Sequence, residues 1–223
     1  MSRPIAVDEA TEWLEPDGLG GFASGTTSGI RTRRYHALLL TTTTPPTGRM
    51  VLVNGLDAWV EHHQPGPPGP GEQQFLSRQG YSPGIVAPDS AAVIESFKLD
   101  PWPAWVYRLQ DGTRIGQELF VPRGLGLVAL RWRLLGVRRP VTLRVRLFLS
   151  GRDLHALHHV NPAFRFDSIA YGERVSWTPY QGVPGVNAAS NGRYQPDPQW
   201  YCNFLYSEER ARGLDFEEDL AAP

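Results

Sequence analysis

The sequence predicts an all-β fold, a large antiparallel β-sandwich with very little helix. Apolar residues recur mainly at every second position, which is the period of a half-buried strand. Glycine or proline separates the apolar runs, as is typical of short strands joined by turns. Seven Trp, eight Tyr and nine Phe occur among the 223 residues, and aromatic side chains fit a pleated surface. Many short strands favour two packed sheets, with an eight-stranded closed barrel as the structural alternative.

Three consecutive runs show the alternation most clearly, namely Ile115 to Val121, Leu127 to Leu135 and Val141 to Leu149. In each run one face is apolar and the other is largely polar, so the runs predict an antiparallel meander with one solvated face. Further strand candidates of similar composition are Tyr35 to Thr43, Arg49 to Val53, Leu56 to His62, Ala92 to Leu99, Ala104 to Gln110, Phe164 to Tyr171, Glu173 to Thr178 and Gln199 to Tyr206.

Local turn and cap signals refine this prediction at two places. The Asp111-Gly112 pair predicts a two-residue hairpin turn between neighbouring strands. The single helix candidate runs from Ser207 to Arg212, with Ser207 as its N-cap and acidic residues in the first turn. Gly213 is expected to end it, because glycine readily adopts the left-handed backbone that closes a helix.

The domain organisation follows from one unusual stretch. Residues Gln64 to Glu72 are almost all proline and glycine, which predicts a loop. Strand-like runs of similar composition continue on both sides of this stretch. It is therefore not a domain boundary, and residues 1–223 are predicted to form a single domain.

Composition excludes several classes of partner. The formal net charge is -1, so no global field draws the chain to nucleic acid or to anionic membranes. The longest apolar stretches are too short to span a bilayer, and the N-terminus lacks the apolar core of a signal peptide. Cys202 is the one cysteine, so no disulfide can form within the chain. We therefore expect a cytoplasmic protein with no nucleic-acid or membrane partner.

The segment Asp17 to Thr26 carries four glycines in the eight positions from Gly18 to Gly25. Such a backbone either bends tightly or is approached closely by another group. A phosphate-binding loop is excluded, because no Gly-Lys-Ser/Thr sequence follows the glycines. Two interpretations stay open: an elaborate turn between two strands, or exposed backbone that binds a ligand.

A cluster of polar side chains lies just before an apolar strand, in the segment Arg31 to His36. Strand alternation would send Arg33 and Tyr35 to one face, and Arg34 and His36 to the other. One interpretation is a solvated strand start with a satisfied histidine. The other is a polar cluster that meets a carboxylate or sugar hydroxyls, for which the planar guanidinium of arginine is well suited.

The histidines His155, His158 and His159 raise the question of a metal site. Zinc requires three or four ligands in a tetrahedral arrangement, and Cys202 is distant in the sequence. We therefore expect no metal and no cofactor. The sequence also does not indicate a serine hydrolase, because the chain has no Gly-x-Ser-x-Gly motif.

The two polar segments and several later ones resemble the N-terminal region of the bacterial and archaeal glycogen debranching enzyme (amylo-α-1,6-glucosidase) family. The matching stretches are Glu12 to Leu14, Asp17 to Thr26, Ser28-Gly29, Thr32 to Leu39, Pro45 to Arg49, Val51 to Val53, Pro103 to Trp105 with Tyr107, Pro140 to Leu149, Arg152 to His155, Trp200-Tyr201, Phe204 with Tyr206, Glu209-Arg210, Arg212 to Asp215 and Glu218 to Leu220. The resemblance therefore covers almost the whole chain.

The resemblance implies a two-domain enzyme in which a β-sandwich precedes an (α/α)6 barrel that carries the catalytic carboxylates. It places that barrel beyond Pro223, so we expect no catalytic residue in this chain. Glycoside hydrolysis needs a pair of carboxylates, but Asp17 and Asp153 are expected instead to cap turns or to pair with arginines. The implied partners are the C-terminal catalytic domain and an α-glucan substrate.

Within this scheme we expect the chain to pack on the barrel and to help shape the glucan-binding cleft. The residues expected to face that cleft are Gly20, Gly21, Ser24, Thr26, Arg33, Tyr35 and His36. Glycine backbone groups would bind sugar hydroxyls, while Arg33 and His36 orient a carboxylate or hydroxyl. Two alternatives remain. One is a free-standing glucan-binding module that uses Trp59, Trp102 and Trp177 as stacking platforms, and the other is an interaction domain with no sugar role.

Overall fold

A computed structural model describes residues 5–62, 73–89, 91–136 and 140–223. The predicted loop from Gln64 to Glu72 lies outside the described residues. The described residues form seventeen strands and one short helix, which confirms the all-β prediction. In chain order these elements are β1 (Glu12–Pro16), β2 (Phe22–Thr26), β3 (Ala37–Thr44), β4 (Thr47–His62), β5 (Gln73–Phe75), β6 (Gln79–Tyr81), β7 (Ile85–Ala87), β8 (Val93–Lys98), β9 (Ala104–Arg108), β10 (Arg114–Phe120), β11 (Ala129–Leu135), β12 (Val141–Asp153), β13 (Ser168–Tyr171), β14 (Arg174–Trp177), β15 (Val186–Ala189), β16 (Gln199–Leu205), α1 (Ser207–Ala211) and β17 (Glu217–Ala222).

Three antiparallel sheets make up the fold. The largest has ten strands in the order β1-β2-β3-β4-β12-β17-β16-β6-β7, with β5 paired to β4 outside this path. A second sheet has the order β11-β10-β9-β8, and a third has the order β13-β14-β15. Sequential strands are mostly neighbours, which is usual where short turns connect antiparallel strands.

One apolar core joins the three sheets. It contains Trp13 and Leu38 from the large sheet, Trp105 from the four-stranded sheet and Trp177 from the three-stranded sheet. The rings of Trp13 and Trp105 meet edge to face with their centroids 5.6 Å apart. The described strands therefore form a sandwich of facing sheets, and the alternative of a single closed barrel is wrong.

Strand β4 is one continuous strand where the sequence predicts two, Arg49 to Val53 and Leu56 to His62. The register against β12 shifts between Phe148 and Leu149 and again before Arg152. Irregularities of this kind interrupt the alternation of side chains without ending the strand. The sequence pattern therefore breaks in two although the backbone pairing continues.

The predicted meander is correct for its first two members and wrong for the third. Strands β10 and β11 pair along their full lengths, but β12 lies in the other layer and pairs with β4. The outer face of β12 is also not uniformly solvated, since Phe148 is fully buried against Phe204 and Leu220. Periodicity identifies strands from local composition, whereas the choice of partner depends on the whole chain.

The hairpin between β9 and β10 has a three-residue loop in place of the predicted two-residue turn. The Leu109 amide donates to the Thr113 carbonyl at 2.8 Å, and the Gly112 amide donates to the Leu109 carbonyl at 3.0 Å. Gly112 has a φ of 81°, the left-handed conformation that three-residue hairpin loops require.

Helix α1 confirms the predicted element but corrects its N-cap. Tyr206 is the cap residue with an extended backbone, Ser207 is the first helical residue, and no side-chain cap hydrogen bond forms. The prediction of Ser207 as the cap is therefore wrong by one position. Gly213 adopts a φ of 72° just after the helix, as expected.

Candidate ligand-binding cleft

The glycine-rich segment forms the turn of the β1–β2 hairpin. Asp17 Oδ1 accepts hydrogen bonds from the amides of Leu19 at 2.7 Å and Gly21 at 2.9 Å, so Asp17 caps the turn as predicted. A Cβ atom on Gly21 would lie 2.5 Å from the Leu40 carbonyl oxygen, and one on Gly20 would lie 2.7 Å from the Pro46 carbonyl oxygen. The glycines therefore allow this turn to pack closely against the backbone of neighbouring segments.

The segment before β3 is a turn and not the start of a strand. The His36 amide donates to the Arg33 carbonyl at 3.1 Å, and His36 Nδ1 lies 3.1 Å from the Thr32 amide nitrogen and 3.4 Å from that of Arg33. The predicted alternation of side chains is consequently wrong. Arg33 and His36 lie together beside β1, whereas Arg34 and Tyr35 lie together beside His155.

This turn is held on the side away from β1 by three elements. The Arg34 guanidinium donates to the His155 carbonyl at 2.8 Å, and the Tyr35 hydroxyl lies 3.2 Å from His155 Nδ1. The carboxylate of Glu209, buried in α1, accepts a hydrogen bond from the Arg34 amide at 3.3 Å. Arg152 of β12 donates to the Arg34 carbonyl at 2.6 Å. The backbone of residues 33–36 is therefore fixed before any ligand binds.

Glu12 of β1 faces this turn and joins it to the hairpin. Arg33 Nε donates to Glu12 Oε1 at 2.5 Å, and His36 Nε2 lies 3.4 Å from the same oxygen. Because His36 Nδ1 accepts backbone hydrogen bonds, the proton of the neutral ring lies on Nε2 and points toward the carboxylate.

Burial and charge set the protonation states of the two groups. Burial lowers the pKa of His36 to about 4, against the opposing effect of the Glu12 carboxylate. Partial burial alone would raise the pKa of Glu12, but the hydrogen bond from Arg33 and the charges of His36 and Arg33 outweigh it, so this pKa lies below its ordinary value. At neutral pH, Glu12 is therefore ionised and His36 is uncharged.

A cleft of about 220 Å³ opens between the hairpin and the turn. Its lining combines apolar and polar side chains, namely Glu12, Trp13, Leu14, Phe22, Ser24, Arg33, Tyr35 and His36. The Ser24 hydroxyl donates to the Tyr35 carbonyl at 3.1 Å and so ties the two walls together. Apolar walls with a few converging polar groups are typical of small-molecule sites.

The cleft brings together four of the residues expected to face a ligand, namely Ser24, Arg33, Tyr35 and His36. Gly20 and Gly21 lie at the hairpin turn, outside this lining. Thr26 is buried below it, where its hydroxyl donates to the Ile30 carbonyl at 2.7 Å. Sequence reasoning did not select Glu12, which reaches the cleft because the register of β1 against β2 places it opposite Thr26.

The three tryptophans considered as stacking platforms occupy different environments. Trp177 is only 4% exposed and belongs to the core, so it cannot stack on a ligand in solution. Trp59 is half-buried and stacks on Phe75 with centroids 5.5 Å apart. Trp102 meets Phe120 edge to face at 5.3 Å.

The three neighbouring histidines do not converge. His158 is buried, with Nε2 2.6 Å from the Tyr180 hydroxyl and Nδ1 2.7 Å from the Asp219 carbonyl oxygen. His155 lies beside Tyr35, and His159 lies near the Asp219 carboxylate at 3.6 Å. Across the part of the chain that the structure describes, no group of three or more metal-ligating side chains comes together.

A buried polar network supports the turn from below. Glu218 of β17 is fully buried, accepts hydrogen bonds from Arg152 and Tyr206, and lies 3.1 Å from Asn54 Nδ2. Because Arg152 also donates to the Arg34 carbonyl, the network connects β17 and β12 to the cleft. A charge buried in this way requires such partners. Nothing in the alternation of β17 distinguishes Glu218 from a solvent-facing acid.

The fold and the site define a class of protein: a large antiparallel β-sandwich with a small cleft, apolar-walled and carrying a few polar groups, on its largest sheet. Residues 11–223 match the family described as glycogen debranching enzyme N terminal, so the chain belongs to that family. No match was found among curated proteins or among solved structures. No helix among the described residues is long and apolar enough to cross a membrane.

Proposed function

We propose that this chain is the non-catalytic N-terminal domain of a cytoplasmic glycogen debranching enzyme with α-1,6-glucosidase activity. In this role it packs on the catalytic barrel of the same enzyme and helps to shape the α-glucan-binding cleft. The observation that carries the proposal is the convergence of Ser24, Arg33, Tyr35 and His36 with Glu12 around one cleft, in a chain of the debranching-enzyme N-terminal family.

The chemistry of the cleft suits a sugar. Phe22 and Tyr35 supply apolar ring surface, against which the C–H groups of a pyranose can pack. Glu12 and Arg33 supply an acceptor and donors for hydroxyl groups. Since hydrogen bonds to neighbouring elements fix the turn, little conformational entropy is lost when a ligand binds.

The composition of the cleft supports a binding role over a catalytic one. Hydrolysis of a glycosidic bond uses two carboxyl groups, ~5–5.5 Å apart for retention or ~6.5–9.5 Å apart for inversion. Glu12 is the one carboxylate among the residues that line the described cleft, and it is paired with Arg33. The cleft therefore does not hold such a pair, and we propose that the other domain carries it, as the resemblance implies.

Exposed apolar side chains flank the turn and support its contact with another domain. Leu14, at the cleft, is 52% exposed, and Leu214 is 49% exposed. Leu214 precedes Asp215, whose carbonyl oxygen accepts a hydrogen bond from Arg34 at 3.1 Å. In the proposed enzyme, these two exposed side chains would lie on the surface that the catalytic domain covers.

A free-standing glucan-binding module is the second candidate, favoured by the partly exposed stack of Trp59 and Phe75. In that case the stacked rings, and not the cleft, would bind glucan. The third candidate, an interaction domain without a sugar role, uses only the exposed apolar groups. A substitution of Arg33 distinguishes these candidates, because Arg33 would contribute to glucan binding only if the chain helps to shape the substrate cleft.

The test uses the debranching enzyme in which this domain is joined to its catalytic domain. Arg33→Gln is expected to raise KM for a branched α-glucan and to lower kcat/KM at least about tenfold, since a charge-assisted hydrogen bond is lost. His36→Gln, which keeps a hydrogen-bonding side chain, is expected to act in the same direction. The matched control is Arg144→Gln, because Arg144 forms an exposed ion pair with Glu61 elsewhere on the large sheet. Unchanged kinetics in both cleft variants, with unchanged stability, would overturn the proposal.

A further inference from the structure

Glu12 has acceptor capacity that the protein itself does not use. Both of its polar contacts, with Arg33 Nε and His36 Nε2, fall on Oε1. Oε2 takes no part in these two contacts. The side chain lines the cleft and is 39% exposed. A carboxylate accepts up to about four hydrogen bonds, so Glu12 can accept further donors from within the cleft.

The orientation of this carboxylate is fixed by its surroundings. The Arg33 side chain is 25% exposed and that of His36 only 4%. The His36 ring is held in turn by the backbone amides of Thr32 and Arg33. An exposed ion pair of this kind adds little to stability, so the elaborate support is better explained by the positioning of the carboxylate.

The charges around the cleft are balanced. Glu12 is compensated by Arg33, and His36 is neutral. The second contact of Arg33, with Glu208 at 3.6 Å, is balanced in turn by Arg212, also 3.6 Å from Glu208. A cation therefore finds no net attraction here. An anion finds none either, since Arg33 is already paired with Glu12, whereas a neutral donor such as a hydroxyl finds an oriented acceptor.

We propose that Glu12 is a ligand-binding residue that accepts hydrogen bonds from sugar hydroxyls, and that the cleft selects a neutral glucosyl unit over a phosphorylated sugar. The selection of a neutral hydroxyl donor follows from the cleft alone. The identification of the sugar as part of an α-glucan rests on the proposed function. Glu12 thus acts by direct contact, His36 positions its carboxylate, and Arg33 both positions that carboxylate and donates to hydroxyl groups.

The experiment measures the Kd of the full 223-residue chain for maltotriose and for glucose 1-phosphate by NMR titration at neutral pH. The wild-type chain is expected to bind maltotriose more tightly than glucose 1-phosphate. Glu12→Gln is expected to weaken maltotriose binding at least about tenfold, since it removes a charged acceptor. Glu15→Gln is the matched control: it removes a carboxylate from the same strand outside the cleft lining, and its Kd is expected to match that of the wild type.

A second measured quantity, the ratio of the affinities for the two sugars, responds to charge and not to the stability of the fold. Glu12→Gln removes one negative charge from a balanced cluster, so the ratio of the two affinities is expected to shift toward glucose 1-phosphate, most strongly at low salt. Leu14→Ala shortens a half-exposed wall residue, and it is expected to weaken maltotriose binding severalfold.

The proposal is overturned if maltotriose does not bind to the chain, if Glu12→Gln binds it as tightly as the wild type, or if glucose 1-phosphate binds equally well. These outcomes are independent of the enzyme kinetics that test the proposed function. Sugar binding that depends on Glu12, combined with normal kinetics of Arg33→Gln in the whole enzyme, would support the Glu12 site and reject the contribution to the substrate cleft.

Discussion

The Nε2 atom of His36 lies 3.4 Å from Oε1 of Glu12, across the gap between the turn that precedes β3 and the strand that opens the sheet. The imidazole is buried and uncharged, and the carboxylate is ionised and partly exposed. This contact joins the arginine-rich turn to the first strand of the β1–β2 hairpin, and the cleft lies between them.

The first prediction concerns the pH dependence of the free energy of unfolding. The pKa of His36 is about 4 in the folded chain, against an ordinary value of 6.5. Between these values the unfolded chain binds more protons, so the free energy of unfolding falls as the pH is lowered from 6.5 toward 4, by at most about 1.4 kcal/mol per pH unit. Buried His158, whose pKa is also lowered, adds to the slope, and Glu12 adds a further loss at lower pH.

Urea unfolding at pH 7, 6 and 5 measures this slope. His36→Gln is expected to reduce the slope without abolishing it, because His158 remains. The control is Arg144→Gln, which changes an ion pair on the large sheet and no imidazole, and its slope is expected to equal that of the wild type. An identical slope in His36→Gln and the wild type would contradict the prediction.

The second prediction concerns the buried pair of Arg152 and Glu218. Arg152→Met leaves the fully buried Glu218 carboxylate without its main counter-charge, and we expect a loss of about 3–5 kcal/mol in the free energy of unfolding. The comparison variant is Arg144→Met, which breaks a half-exposed pair with Glu61 and is expected to cost less than about 1 kcal/mol. Equal costs for the two variants, measured by denaturant unfolding, would show that the buried network does not support the fold.

The third prediction concerns the glycine-rich turn. Gly21→Ala would place a Cβ atom 2.5 Å from the Leu40 carbonyl oxygen and also against the Asp17 carboxylate, so we expect a loss of at least about 1 kcal/mol. Gly116→Ala is the control in a strand interior, where the nearest atom is 3.5 Å away on the Leu135 side chain. There alanine is expected to be neutral or to stabilise by up to about 1 kcal/mol. If thermal unfolding shows that Gly21→Ala is tolerated as well as Gly116→Ala, the turn is not closely packed.

The fourth prediction separates the cleft from the tryptophan platforms. Trp177→Ala is expected to cost about 3–5 kcal/mol of stability, because the ring lies in the core. Trp59→Ala, on the partly exposed stack with Phe75, is expected to leave the Kd for maltotriose unchanged. Loss of maltotriose binding in Trp59→Ala would instead favour the free-standing module.

Local chemistry predicted much of this structure. The alternation within Leu127 to Leu135 predicted a strand, and this strand pairs with its neighbour along the chain. Asp17 caps the turn, as expected of an aspartate that precedes glycines. Gly213 ends the one helix for the same local reason. In each case, the interactions that determine the conformation connect residues close together in the sequence. Composition and spacing are therefore enough to predict them.

Features set by long-range pairing could not be predicted in this way. Strand β12 joins the large sheet and not its sequence neighbour β11, because partner choice depends on how two layers bury their apolar faces. Glu12 faces the cleft through the register of the hairpin and a separate turn. Strand alternation predicted that Arg33 would lie with Tyr35 and not with His36. Residues 33–36 instead form a turn, which places their side chains in different directions.

The most direct test of the cleft is a map of ligand-induced shifts in the amide NMR spectrum of the chain during titration with maltotriose. We expect the largest shifts at Ser24, Tyr35 and His36, with smaller shifts along β1 around Glu12. Shifts confined to Trp59 and Phe75, or none at saturating sugar, would contradict the assignment of this cleft as the glucan-binding surface.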